Sequence, residues 1–417
     1  MTRMHGGGER RGAGGFLAVA LLLSLLLRGQ PVQAQVPVPA PVDPATASAS
    51  ASVDSPAGLL SFDVHGFGSQ GFMLTTGNDY LVADSKRGSF QVSEAGLNLS
   101  KDLTSKLRFG IQFFAQNFGA SGDYVPRVDW FGLDYRWRDL LGLRAGRLKI
   151  PFGLFNEVND IDSARVPILL PQSVYPLQSR SFLFAQSGGE IYGFLRSNWA
   201  GALEYRLYGG TSFIDPKLVV PVGSPIQLQF NVPYIYGGRL QWETPLRGLR
   251  FSGSFLKLRL DADAFSATGK LADIENHSEA WLVSVEYEYR AFALTAEYGR
   301  GHTKQDTVFP EMGVEVLDET SEAGYVMANV AIAAWLQSAV YWALQYPNVE
   351  NRDGLSNKQH DVALTLRFDI NAHWVFKLEG HYMAGTTGLI NPLRIGAGAT
   401  DPARRWAVFL AKTTAYF

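Results

Sequence analysis

The sequence predicts an all-β chain, a transmembrane antiparallel β-barrel of about 16 strands, and three observations carry that prediction. From residue 59 onward, segments of alternating apolarity follow one another, joined by short turns and long loops, up to a terminal Phe417. The first 34 residues read as a secretory signal peptide. Beyond them, no stretch is both long and apolar enough to cross a bilayer as a helix, which takes about 20 residues.

The alternation is clearest from Ala280 to Tyr298. Trp281, Val283, Val285, Tyr287 and Tyr289 interleave with Leu282, Ser284, Glu286, Glu288 and Arg290, and beyond an Arg290-Ala291 turn Phe292, Leu294, Ala296 and Tyr298 interleave with Thr295 and Glu297. A period of two with charge on one face suits a strand between lipid and water. A soluble sandwich would alternate too, but its strands are usually shorter than about 10 residues.

At the N-terminus, Arg3, Arg10 and Arg11 precede the apolar run Phe16 to Leu27, and Val32-Gln33-Ala34 offers a cleavage site. Residues 35–58, rich in Pro, Ala and Ser, cannot bury a core and are expected to form a disordered periplasmic tail, with 59–417 as the barrel. The 43 Gly, 26 Phe, 17 Tyr and 9 Trp suit strands, tight turns and interfacial girdles. With no cysteine there is neither a disulfide framework nor a thiolate metal site. Removing the signal peptide takes four of 37 basic and one of 39 acidic residues, leaving a mild acidic excess that argues against nucleic acid as a partner.

Strands are expected near 60–74, 88–100, 106–118, 127–138, 142–150, 190–198, 201–213 and 234–244. They continue near 248–260, 278–290, 291–302, 322–334, 335–346, 359–369, 372–384 and 404–417, an even total as bacterial single-chain barrels require. The split at Trp335 has no turn residue to mark it. Short connections such as Lys101 to Ser105, Arg290-Ala291 and Asp369 to Asn371 read as periplasmic turns. Long ones, at 75–87, 151–189, 214–233, 261–277, 303–321, 346–358 and 385–403, should face outside, which leaves both termini periplasmic. Sixteen strands enclose an aqueous channel. The loop at 151–189, about 39 residues, is long enough to fold inward and set the constriction.

Leu143-Arg144-Ala145-Gly146-Arg147-Leu148-Lys149-Ile150-Pro151-Phe152-Gly153 resembles the stretch leading into the inward-folded third loop of the sixteen-stranded trimeric porins, in particular the phosphate-selective porin group and its relatives. The resemblance implies a homotrimeric channel of a Gram-negative outer membrane, surrounded by outer-membrane lipid and lipopolysaccharide and passing small hydrophilic solutes or anions without a cofactor.

Candidate constriction residues are Arg144, Arg147 and Lys149 on the fifth strand and Glu157, Asp160, Asp162, Arg165 and Arg180 in the loop. Loop carboxylates opposite a basic wall would set up a transverse field; direct pairing would instead pin the loop. For Arg144 and Arg147 both to face inward, a bulge at Gly146 is needed. Other lumen candidates are Arg239, Glu243, Glu286, Glu288, Lys377 and Glu379, with Glu204, Arg206 and Arg367, mixed in sign. The apolar loop core Val166 to Pro171, beside Tyr175, suits either packing on the wall or a greasy slide for solutes. Tyr135, Trp137, Trp242, Trp281, Trp374 and Trp406 are expected at the membrane interfaces.

No nucleophile motif and no His-x-x-x-His spacing accompanies the scattered histidines, so an enzyme is not expected, and Asp160 with Asp162 is too sparse for Ca²⁺. The sequence therefore points to a porin. A non-channel barrel serving as receptor, adhesin or structural anchor is the alternative.

Overall fold

The computed structural model describes residues 61–82, 84–118, 124–177, 180–214, 227–267, 269–310, 313–389 and 402–417. The signal peptide and tail expected over 1–58 lie outside the described residues. Sixteen strands follow in chain order: β1 (Asp63–Thr75), β2 (Ser89–Asp102), β3 (Leu107–Asn117), β4 (Arg127–Arg138), β5 (Leu141–Lys149), β6 (Ala185–Ser197), β7 (Gly201–Thr211) and β8 (Gln227–Glu243). The second half comprises β9 (Leu249–Ser266), β10 (Gly269–Tyr289), β11 (Phe292–Phe309), β12 (Gly313–Ala333), β13 (Leu336–Tyr346), β14 (Gln359–Asn371), β15 (Trp374–Gly385) and β16 (Arg405–Tyr416).

Each strand pairs antiparallel with its neighbours in sequence, and β1 pairs with β16 to close the barrel. Closure leaves no edge whose backbone groups would lie unpaired in lipid. The last residue takes part, because Phe417 exchanges backbone hydrogen bonds of 3.0 and 3.1 Å with Gly66.

The expected break at Trp335 is real, since β12 ends at Ala333 and β13 begins at Leu336. Several strand boundaries differ from expectation. β6 starts at Ala185, so the third loop is shorter than 151–189. β8 starts at Gln227 and carries a register shift between Asn231 and Tyr234, where Pro233 cannot donate to the ladder. Most of 261–277 and 303–321, expected as loops, continues the ladders of β9 to β12, with Asp261 opposite Glu275 and Ile274 opposite Thr307. These strands reach 21 residues, about 70 Å at the usual rise, against an apolar band of about 25 Å. Past that band both faces meet water, so the alternation of apolarity fades while the hydrogen bonding persists. Cross-strand pairs such as Lys257–Glu279 at 3.1 Å and Lys270–Asp263 at 3.0 Å take over there.

Alternation sorts the side chains of the spanning segments. On β16, Trp406, Val408, Leu410, Lys412 and Thr414 point inward and are buried, while Phe409 between them is exposed on the outer wall. Tyr135, Trp137, Trp242, Trp281 and Trp374 are outward as expected. Trp406 is not. It shares the parity of the inward set, packs edge-on against Tyr80 at 5.1 Å and belongs to the interior.

That interior is filled in part by apolar clusters. One apolar cluster joins Tyr80, Leu81 and Val82 of the first long loop to Ile168, Leu169, Met383 and Leu410. A second gathers Leu170 and Tyr175 with Tyr325, Met327 and Tyr341, and a third gathers Ile150 with Tyr208, Ile235, Leu256 and Leu258. All three contain residues from the connection between β5 and β6, hereafter loop 3, which therefore lies inside the barrel. The loop core Val166 to Pro171 is buried against the wall, with Val166 and Pro167 bordering the cavity described below.

Candidate functional site: the loop-bridged lumen

Loop 3 is tied to the wall on several sides. It leaves β5 through Ile150, and Gly153 N–H donates to Ser254 of β9 at 3.0 Å while Leu154 N–H donates to Glu297 of β11 at 3.0 Å. The loop then turns through a short 3-10 segment, Asn156–Val158, which presents Glu157 to two arginines: Arg206 of β7 at 2.5 Å and Arg239 of β8 at 2.8 Å. Asp160 is met by Lys149 at 2.9 Å and by the Gln112 amide at 2.5 Å.

On the far wall, Asp162 receives Lys377 of β15 at 3.1 Å, Lys412 of β16 at 3.4 Å and the Thr414 hydroxyl at 2.8 Å. Arg367 of β14 donates to the carbonyls of Ser163 and Arg165 at 2.7 and 3.1 Å. Glu379 accepts from the backbone N–H groups of Ile168 and Leu169 at 2.6 and 2.9 Å, and it is itself held by His381 at 2.9 Å. The return limb anchors through Tyr175 on Glu297, and Arg180 pairs with Asp129 of β4 at 2.9 Å.

Burial alone would raise the three loop carboxyls, but the adjacent cations outweigh it. Arg206 and Arg239 pull Glu157 down to about 2. Asp160 is lowered by Lys149 and Arg180, and Asp162 lies well below the usual carboxylate range because of Lys377, Lys412 and Arg165. All three are charged at neutral pH, and each is already in contact with its partner. The direct-pairing alternative thus describes their geometry.

The wall below the loop carries a belt of alternating sign. Arg144 bridges Asp134 and Glu190 at 2.8 and 3.1 Å, Arg206 joins Glu190 and Glu157, Arg239 joins Glu157 and Glu204, and Arg250 pairs with Glu286. This belt forms because inward positions of adjacent strands lie side by side, as Arg144 does with Glu190 and Arg250 with Glu286.

The belt faces a cavity of about 940 Å³, roofed by Leu154, Glu157, Val158 and Arg165 of loop 3 and reaching Asp139, Arg290 and Ala291 at the short-turn end. Arg144, Glu157, Arg165, Arg239, Glu243, Glu286 and Glu288, all singled out from sequence, line it. Lys149, Asp160, Asp162, Arg180, Lys377 and Glu379 lie instead within the tethers of the loop.

Arg147 is placed differently from expectation. Register runs unbroken from Asp134–Arg144 through Gly132–Gly146 to Phe131–Arg147, so no bulge re-aims it, and its guanidinium donates to the Asp129 carbonyl at 2.8 Å. Gly146 serves another purpose. Its φ is 142°, and a Cβ there would lie 2.3 Å from the Phe131 carbonyl oxygen, so only glycine allows this approach. Sequence reasoning did not single out Glu190, Arg250 or Lys412 as functional. Strand parity was the available signal, because each shares the inward face with a residue that was chosen.

No protein-family model matches the chain, and no curated protein matches it by sequence. Among solved structures it is similar to an anion-selective porin from Comamonas acidovorans, at 11% identity over 86% of this chain and 99% of that one, with a TM-score of 0.54. It is similar as well to the outer membrane channel DcaP of Acinetobacter baumannii, at 11% identity over 86% and 97% with a TM-score of 0.53. OmpF of Salmonella typhi, solved with daunomycin, matches at 12% identity over 86% and 98% with a TM-score of 0.52. Identities this low establish the fold, a sixteen-stranded barrel of the outer-membrane porin type.

Proposed function

We propose that this chain is a porin of a Gram-negative outer membrane, a homotrimer through which small hydrophilic solutes, anions among them, diffuse passively. The observation that carries the reading is the charge-lined cavity under loop 3, where Arg144, Arg206, Arg239, Arg250 and Arg367 are paired with carboxylates of the lining and of the wall behind it, inside a barrel whose outer face is apolar. A water-filled passage needs such a charged lining, and this part of the interior stays open where the three apolar clusters fill the rest. The narrower kinship with the phosphate-selective group is supported only by the stretch Leu143 to Gly153. On this reading the short turns face the periplasm and the long loops face outside.

The test is single-channel recording in planar bilayers under a salt gradient. Stepwise currents are expected, with the sign of the reversal potential naming the ion preference. If neither the wild-type protein nor a variant with 156–168 replaced by a short Gly-Ser linker conducts after correct folding, the barrel is a receptor, adhesin or anchor instead.

A further inference from the structure

Glu157 occupies a place that a solute could take. Its carboxylate sits at the boundary between loop and cavity, lines that cavity, and fills the fork made by Arg206 and Arg239. Both arginines belong to the wall, and each is also held there by a wall carboxylate. Glu190 fixes Arg206 through two contacts of 3.0 and 2.8 Å, and Glu204 holds Arg239 at 3.1 Å. The fork is therefore a preorganised carboxylate site, and its present ligand is a side chain of the chain itself.

The tether matters because loop 3 crosses the lumen. Its near limb is held at β9 and β11 by the Gly153 and Leu154 amides, at β7 and β8 by the Glu157 side chain, and at Lys149 and Gln112 by Asp160; its middle is held at β14 to β16 by Asp162 and the Ile168 and Leu169 amides, and its return limb at β4 by Arg180. The cavity reaches the short-turn end and is capped by the underside of the loop.

We propose that Arg206 and Arg239 form a binding site for a solute carboxylate, that Glu157 occupies it as an internal stand-in, and that a dicarboxylate entering from the short-turn end displaces Glu157 and shifts the 156–158 turn away from the cavity, opening the channel there while the other tethers of loop 3 hold. This inference rests on the porin reading and adds to it a trigger and a side. Exchange of one carboxylate for another leaves the charge at the two arginines unchanged, so neither guanidinium is left buried and unpaired during opening. The released Glu157 enters the aqueous cavity, where its charge is solvated. A neutral solute of the same shape supplies no such replacement and leaves the loop in place.

The experiment is recording of wild-type protein with sodium succinate, or its neutral analogue succinamide, added to one side and then the other. A ligand that binds only the open form multiplies the ratio of open to closed by about tenfold at ten times its Kd. Succinate at ten times its Kd on the short-turn side should therefore raise the open-to-closed ratio by about tenfold, while succinamide leaves it unchanged. Glu157→Gln should open without succinate and respond less to it. Wild-type channels that stay steadily open, or that succinate only blocks, would overturn the inference. If Glu157→Gln fails to insert, the wild-type response decides alone. The linker variant replacing 156–168 separates the two readings: if it conducts while the wild type ignores succinate, the trigger fails and the porin reading stands, whereas silence of both removes the porin reading itself.

Discussion

Asp162 shows how much one loop residue can hold. Two lysines on adjacent strands, a hydroxyl of β16 and the guanidinium of Arg165 surround a carboxylate that is almost fully buried. Such a cluster contributes little net stability compared with an apolar one, but removing one partner leaves uncompensated charge at a cost of about 3–5 kcal/mol. Asp162→Asn should therefore free the middle of loop 3, seen as new protease cleavage between residues 158 and 170 in a barrel that still migrates as folded. Glu157 gives a pH dependence. Its folded value is depressed, so its contribution to holding the loop is complete above about 4.5 and is lost as pH falls toward about 2. The groups facing it are Arg206, Arg239 and Arg144, with Lys149 on its carbonyl oxygen. Channel openings should become more frequent between pH 4.5 and 2, and Glu157→Gln should flatten that rise.

At the scale of elements, the strands divide into parts that lipid shapes and parts that it does not. Between the aromatic positions the period-two pattern is strong, because one face meets hydrocarbon and the other the interior. In the outer halves of β9 to β12 that contrast is gone, and Asp261, Asp263, Asp273 and Glu275 read as loop although they sit in regular ladders. Shortening the β9–β10 hairpin by joining Asp261 to Glu275 through a two-residue turn should leave folding yield and conductance unchanged, since those ladders lie beyond the apolar band. A gel-shift assay of heat-modifiable migration, with bilayer recording, checks this. Loop 3 behaves in the opposite way. It has little regular structure, yet Ile168, Leu169 and Leu170 are nearly completely buried, and each such side chain stabilises by about 1.5–3 kcal/mol. A loop with that much apolar burial is part of the core.

For the whole molecule, the sequence alone determined the fold class, the strand order and the even count, down to the unmarked break at Trp335, because membrane solvation imposes the alternation locally and chain neighbours pair with chain neighbours. It also limited which residues could face inward, since parity along one strand is a local property. What the tertiary structure decided is where those inward residues meet the loop. Asp162 lies about 200 residues from Lys377 and Ile168 about as far from Glu379, and the contacts between them exist only once β16 has closed on β1 and loop 3 has crossed the lumen. The same closure turns Trp406 from a presumed interfacial anchor into a core residue and sets Glu157 between two arginines instead of across a gap from them. Charge sign and spacing were legible from the chain, but whether opposite charges touch or face each other across water depends on a path through three dimensions that no local pattern encodes.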